Sequence, residues 1–135
     1  MNKITVKLED IKAQTQKALV NHGASKSIAE SVAEAVKVAE AENNKVCGLY
    51  YLESYCNQLK SNRVDGSVSP EVKKPSTSSV YVDAKNGFAQ PAFAAGFELA
   101  ISTARENGIC LFTIAPSHTC TSMGFFASQT AKKDP

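Results

Sequence analysis

A chain of 135 residues, 43% hydrophobic and 21% charged, has the length and apolar content to bury one ordinary core, which excludes a disordered chain. A formal net charge of +2, spread over scattered lysines and arginines, gives no electrostatic case for nucleic acid or a membrane surface. No apolar run approaches a membrane span and the first residues lack a signal-peptide core, so the expected setting is the cytoplasm.

Ile4-Thr5-Val6 reads as a short edge strand. From Leu8 onward, Leu8, Ile11, Thr15, Ala18 and Leu19 share one helical face, and Gly23 suits a left-handed C-terminal cap. His22, at that helix end, fits a partner for the negative end of the helix dipole. Ser27 and Glu30 have the spacing of a capping box, opening a helix with Ile28, Val32, Ala35, Val36 and Ala39 inward and Asn43-Asn44 at its end. The two helices are expected to pack antiparallel. A third helix, from about Leu49 to Lys60, turns Leu52, Tyr55, Cys56 and Leu59 inward.

Residues 63–78 are rich in Ser, Pro, Val and Lys and read as a connection with short extended pieces. Ser79 to Asp83 reads as a strand, and Asn86-Gly87-Phe88 as a turn. A helix from Pro91 to Glu106 follows, with Pro91 at its first position and Phe93, Phe97, Ala100, Ile101 and Ala104 inward. The apolar run Ile109 to Ile114 reads as a buried strand, and a last helix starts near Thr121 and carries Met123, Phe125, Phe126 and Ala127.

The fold class expected is therefore α/β. A helical segment over 1–62 and a connection over 63–78 lead to a strand-helix-strand-helix unit over 79–135. Two parallel strands make an incomplete sheet, and Ala131-Lys132-Lys133-Asp134-Pro135 stops where another strand is due, so the chain reads as a fragment.

The polar stretch Ser117-His118-Thr119-Cys120-Thr121-Ser122-Met123-Gly124 follows the last strand, at the strand end where ligands collect in α/β proteins. His118 there can be a general acid, a metal ligand or a structural donor. Cys47, before Gly48 at a helix start, is placed to become a thiolate nucleophile with His118 as base, or simply a buried thiol. Cys47, Cys56, Cys110 and Cys120 show no Cys-x-x-Cys spacing and read as reduced thiols without a metal, Cys56 and Cys110 as core packing. Tyr50, Tyr51 and Tyr55 suit packing between helices or stacking on a planar ligand. Neither a Gly-x-Gly-x-x-Gly fingerprint nor a P-loop occurs.

The order of these pieces carries a resemblance. Ala39 to Tyr55, Lys60-Ser61-Asn62-Arg63-Val64, Val82-Asp83-Ala84-Lys85-Asn86-Gly87-Phe88, Ala104-Arg105-Glu106-Asn107-Gly108-Ile109 and the Ser117–Gly124 loop follow one another. Together they resemble the N-terminal part of the malate/L-lactate dehydrogenase family of the second type. That family includes ureidoglycolate dehydrogenase, diketogulonate reductase and imino-acid reductases. The resemblance implies a homodimeric oxidoreductase that uses NAD or NADP without a Rossmann fingerprint. It implies hydride transfer to or from a small 2-oxo acid, 2-hydroxy acid or cyclic imino acid, with most cofactor loops beyond residue 135. A histidine handles the proton, which makes His118 the expected catalytic residue. Ser117, Thr119, Thr121 and Ser122 are expected to line the site, with Cys47 and Tyr51 at its substrate end. The family pattern Ser-His-Gly-x-x-Arg stands here as Val46-Cys47-Gly48-Leu49-Tyr50-Tyr51, and the second family histidine aligns with Thr119, one residue after His118. A non-catalytic binding or dimerisation module is the alternative.

Overall fold

The computed structural model describes residues 4–133. Helices α1 (Leu8–Asn21) and α2 (Lys26–Ala41) precede a 3-10 turn (Leu49–Tyr51) and α3 (Leu52–Lys60). Strands β1 (Glu71–Ser76) and β2 (Ser79–Asp83) follow, then α4 (Ala89–Asn107), β3 (Leu111–Ile114) and α5 (Met123–Ala131).

The helical layer forms as its periodicity predicts. Gly23 takes a φ of 105° after α1, and His22 Nδ1 donates to Ala18 O at 2.7 Å. The cap of α2 is Ser25, not Ser27: Ser25 Oγ accepts from Ile28 N at 3.4 Å, while Ser27 already lies inside the helix. Lys12 meets Glu34 at 2.9 Å, and Lys37 meets Glu9 at 3.2 Å, so rising numbers on α1 face falling numbers on α2 and the pair is antiparallel. Such half-exposed ion pairs contribute about 0–1 kcal/mol each. Leu19, Ile28, Val32, Val36, Tyr55 and Leu59 fill the seam, and Val64 and Phe88 join the same core from outside the helical segment.

Ile4, Thr5 and Val6 form no strand; Ile4 and Val6 lie exposed, with no strand paired to them among the described residues. The sheet has the order β1-β2-β3. β2 and β3 are parallel, Val80 opposite Phe112 and Val82 opposite Ile114, with α4 crossing between them. This is the strand-helix-strand unit expected. Residues 63–78 add a strand to it: β1 pairs antiparallel with β2, irregular between Lys73 and Ser76. α4 starts at Ala89, two residues before Pro91, whose missing N–H is harmless in a first turn. Gly96 lets α4 approach the sheet, since a Cβ there would lie 2.5 Å from Val82 Cγ2 and 2.7 Å from Phe112 Cε2.

The expectation of a buried strand at 109–114 fails. β3 begins at Leu111 and its residues alternate exposed and half-buried, because it ends the sheet and α4 covers only the Phe112 and Ile114 face. Ile109 is 69% and Leu111 67% exposed, and Cys110 is half-buried rather than a core thiol. Cys56 is buried as expected, and Tyr50 stands out in solvent, away from the packing of Tyr51 and Tyr55.

Candidate functional site

The loop after β3 is laced to the turn after β2. Ala115 N donates to Val82 O at 3.0 Å, the Ala115–Pro116 bond is cis, and Asn86 N donates to Pro116 O at 3.0 Å. Gly87 then pairs with Ser117, and His118 N donates to Gly87 O at 2.9 Å. Two parallel strands thus deliver their C-terminal loops side by side. His118 is set by these backbone bonds, not by its own side chain.

The His118 ring lies against Tyr55 of α3 and Phe88, edge-on to each with ring centroids 5.8 Å apart. Tyr55 is the hub. Its ring meets Tyr51 at 5.1 Å and Phe88 at 5.4 Å, both edge-on. Its hydroxyl lies 2.9 Å from Thr121 Oγ1, and Thr121 Oγ1 donates its only proton to Cys120 O at 2.8 Å. Thr121 must therefore accept from Tyr55, which leaves the Tyr55 oxygen to accept from Gln90 Nε2 at 3.5 Å. Gln90 Nε2 also donates to Cys120 O at 3.4 Å, which fixes the orientation of its amide. This chain of donors holds Thr121 in the left-handed region, φ 55°, a conformation that costs a β-branched residue about 1–3 kcal/mol.

Burial shifts the titrating groups here. It pushes the Tyr55 phenol above its ordinary value, against its hydrogen bonds with Thr121 and Gln90 and together with nearby Tyr51 and Cys47. It pushes His118 below the ordinary imidazole value, while the Thr119 backbone acts weakly the other way. That backbone contact falls short of hydrogen-bond geometry, so His118 Nδ1 is buried without a partner, as is Gln90 Oε1. At neutral pH the imidazole is held neutral, a proton acceptor first and a donor only after protonation.

The expected residues fall into two groups. His118, Thr121 and Tyr51 converge on Tyr55, and Cys47 lies close enough to influence the Tyr55 phenol. Ser117 and Thr119 are exposed, Thr119 Oγ1 accepting from Thr121 N at 3.3 Å. Ser122 is buried just before α5 and makes no capping bond. Cys47 does not begin an α-helix: a three-residue 3-10 turn follows, and its Leu49 amide is taken by Glu40 Oε1 at 2.7 Å. No hydrogen bond joins Cys47 to His118 among the described residues. Gln90 and Phe88 escaped the reading of the sequence. The signal for Gln90 was a polar residue on the face of α4 that carries Phe93, Phe97 and Ala100.

Among the described residues, no group of three His, Cys, Asp or Glu could hold a metal. Most of their glycines have structural roles; Gly124, at the start of α5, is the exception, the nearest contact of an added Cβ there being 3.7 Å away. A Cβ on Gly48, Gly66, Gly87 or Gly96 would meet the chain's own atoms within 3 Å, so these glycines serve close packing, not a phosphate cradle. Gly23 and Gly108 have space around them but cap helices at φ 105° and 76°.

The model of the malate/L-lactate dehydrogenase family matches residues 6–135. The chain is 33% identical over 115 residues to a delta(1)-pyrroline-2-carboxylate/delta(1)-piperideine-2-carboxylate reductase of Pseudomonas putida, covering 85% of this chain and 34% of the relative. It is 37% identical over 103 residues to the reductase of the same name from Pseudomonas syringae pv. tomato, covering 76% and 30%. The crystal structure of delta1-piperideine-2-carboxylate reductase from the latter organism superposes with a TM-score of 0.92 at 31% identity, over 97% of this chain and 40% of that one. The chain spans about a third of the length of the curated relatives it matches.

Proposed function

The chain belongs to the malate/L-lactate dehydrogenase family, and on that premise we propose that it is the N-terminal part of an oxidoreductase that reduces a cyclic imino acid or a related 2-oxo acid. The observation that carries this reading is His118, wedged between Tyr55 and Phe88 where two parallel strands end. The similarity to reductases of five- and six-membered cyclic imino acids supports the substrate class. In this reading residues 1–62 are the helical wall of the site, and 79–135 begin the part that meets substrate. The cofactor in this reading is NAD or NADP, with most of the loops that hold it outside the described residues. A homodimer in the cytoplasm belongs to the same reading.

His118 is the proton-handling group. Reduction needs it protonated, and its burial lowers its pKa, so the reductive rate falls as pH rises through that lowered value. The reverse oxidation needs it neutral and rises over the same range. Tyr55, Gln90 and Thr121 position the loop that carries it, and Tyr51 and Cys47 shape the substrate end.

The test is a chimera in which residues 1–135 replace the matched region of the P. syringae reductase. We expect oxidation of NADPH or NADH with delta(1)-piperideine-2-carboxylate, and a loss of about 10²–10⁴-fold in kcat for His118→Ala, the range for a removed acid/base. A folded chimera that binds cofactor but turns nothing over favours the non-catalytic module. The replacement of the family's histidine and arginine by Cys47 and Tyr51 is what speaks for that alternative.

A further inference from the structure

Gln90 is 1% exposed, and only the nitrogen of its amide is engaged. Nε2 faces Tyr55 and Cys120 O, which leaves Oε1 on the other side of the amide, where no group among the described residues donates to it. A buried carbonyl without a donor is an unmet demand for an N–H or O–H. Gln90 also lines a cleft of about 300 Å³ between α2, α4 and α5. Phe93 of α4 and Phe125 of α5 give the cleft its aromatic wall. Lys12, Glu30 and Glu34 line it as well, one cation against two carboxylates. Glu34 is taken up by Lys12 at 2.9 Å and Lys37 at 3.0 Å. Glu30 is reached by Lys12 only at 3.8 Å, and its side chain is 62% exposed. Cys47, Tyr51 and His118 are not among the lining residues, so the cleft is separate from the candidate active site.

We propose that this cleft binds a small organic ammonium, an amine carried on an apolar body of about ring size. Its N–H donates to Gln90 Oε1, its apolar body lies against Phe93 and Phe125, and Glu30 balances its charge. An anion would meet two carboxylates and find the one lining cation already paired. A neutral alcohol has a proton for Gln90 but gains nothing from Glu30 or from the negative faces of the rings. The inference rests on the cleft and not on the proposed reaction.

The experiment titrates phenethylammonium into the 135-residue chain and follows side-chain resonances by NMR. Phenethyl alcohol and phenylacetate serve as the neutral and anionic isosteres. Saturable binding with a Kd below about 10 mM is expected, within reach of a ligand of this size. The Gln90 side-chain amide and the Phe125 ring should shift most. Both isosteres should bind at least about tenfold more weakly. Ala94→Trp, at an exposed position on the α4 side of the cleft, should keep the unfolding midpoint and weaken binding at least about tenfold. Glu30→Gln should weaken it about threefold to tenfold at low salt and less at high salt, and it carries the test if the tryptophan variant does not fold. Four results overturn the proposal. They are no saturable binding up to about 10 mM, which would leave Oε1 to water alone, isosteres that bind as tightly as the amine, shifts centred away from α2, α4 and α5, or a folded Ala94→Trp or Glu30→Gln variant that binds undiminished.

Discussion

The helical layer and the sheet differ in how completely they bury themselves. α1, α2 and α3 close over a core whose members, from Leu19 to Leu59, are nearly all out of solvent. The sheet and α4 bury Val80, Val82, Ala92, Phe93, Phe97 and Ala100, but Leu111 and Thr113 of β3 are exposed and Val72, Phe112 and Ile114 are half-buried. One region closes over its core, and the other leaves the Leu111 and Thr113 face of its edge strand uncovered. The candidate site lies where they meet, Tyr55 coming from the helical layer and His118 from the loop after β3. Tyr55 is thus anchored in the helical core, while the loop it holds through Thr121 belongs to the sheet half.

The largest effect expected from this contrast is at Leu19. Leu19→Ala opens a cavity in the closed layer and should cost about 2–5 kcal/mol of unfolding free energy in urea. Leu111→Ala, the same chemical change at an exposed position, should stay within about 0.5 kcal/mol. Equal costs would mean that the two regions are equally packed. Gly96→Ala comes next. Its methyl would meet Val82 and Phe112 in the one part of the sheet that is covered, and overpacking there should cost about 1–3 kcal/mol.

The helices were legible because their periodicity is strong: the inward residues read for α2 are all buried, with Ala29 and Ala33 beside them. Boundaries were less so. Ser25 and Ser27 both suit a cap, and only the path of the chain from Gly23 decides between them. β1 was hidden because Lys73-Lys74-Pro75 protects an edge with the residues that make a loop. β3 misled in the opposite sense, since an apolar run says that a strand is made to be covered and not that it is covered. Of the candidate site the loop was legible, where His118 and Thr121 stand together in sequence. Its hub was not, because Tyr55 meets Gln90 across 35 residues and Thr121 across 66.

Tyr55→Phe sharpens the anchoring claim. The ring contacts with His118 and Phe88 remain, while the bonds to Thr121 and Gln90 are lost. A cost of about 1 kcal/mol is expected, with somewhat more if the Gln90 amide is left unsatisfied. Amide exchange should quicken over residues 119–122 and stay unchanged in α1 and α2. Equal quickening in both regions would show that the hydroxyl supports the whole core rather than the loop.

The smallest effect expected is a pH dependence, and its sign follows from burial. His118 titrates below its ordinary value of 6.5 when folded, because burial disfavours the imidazolium. Between the folded and unfolded values the unfolded chain binds more protons, so stability rises with pH there. His118 contributes nothing unfavourable above its unfolded value, and stability is lost as pH falls from 6.5 through the lowered folded value. Asp65, whose Ser67 partners hold its carboxyl below 3.8, acts in the same direction in a separate and more acid window. Urea midpoints measured between about pH 7 and pH 5 isolate the imidazole from the carboxylates. His118→Gln keeps a polar ring-sized group and should flatten that slope without touching the acid limb. A slope that survives the substitution would assign the proton uptake to another group. His118 would then be solvated in the free chain, and the aromatic wall of Tyr55 and Phe88 would not be what sets its protonation.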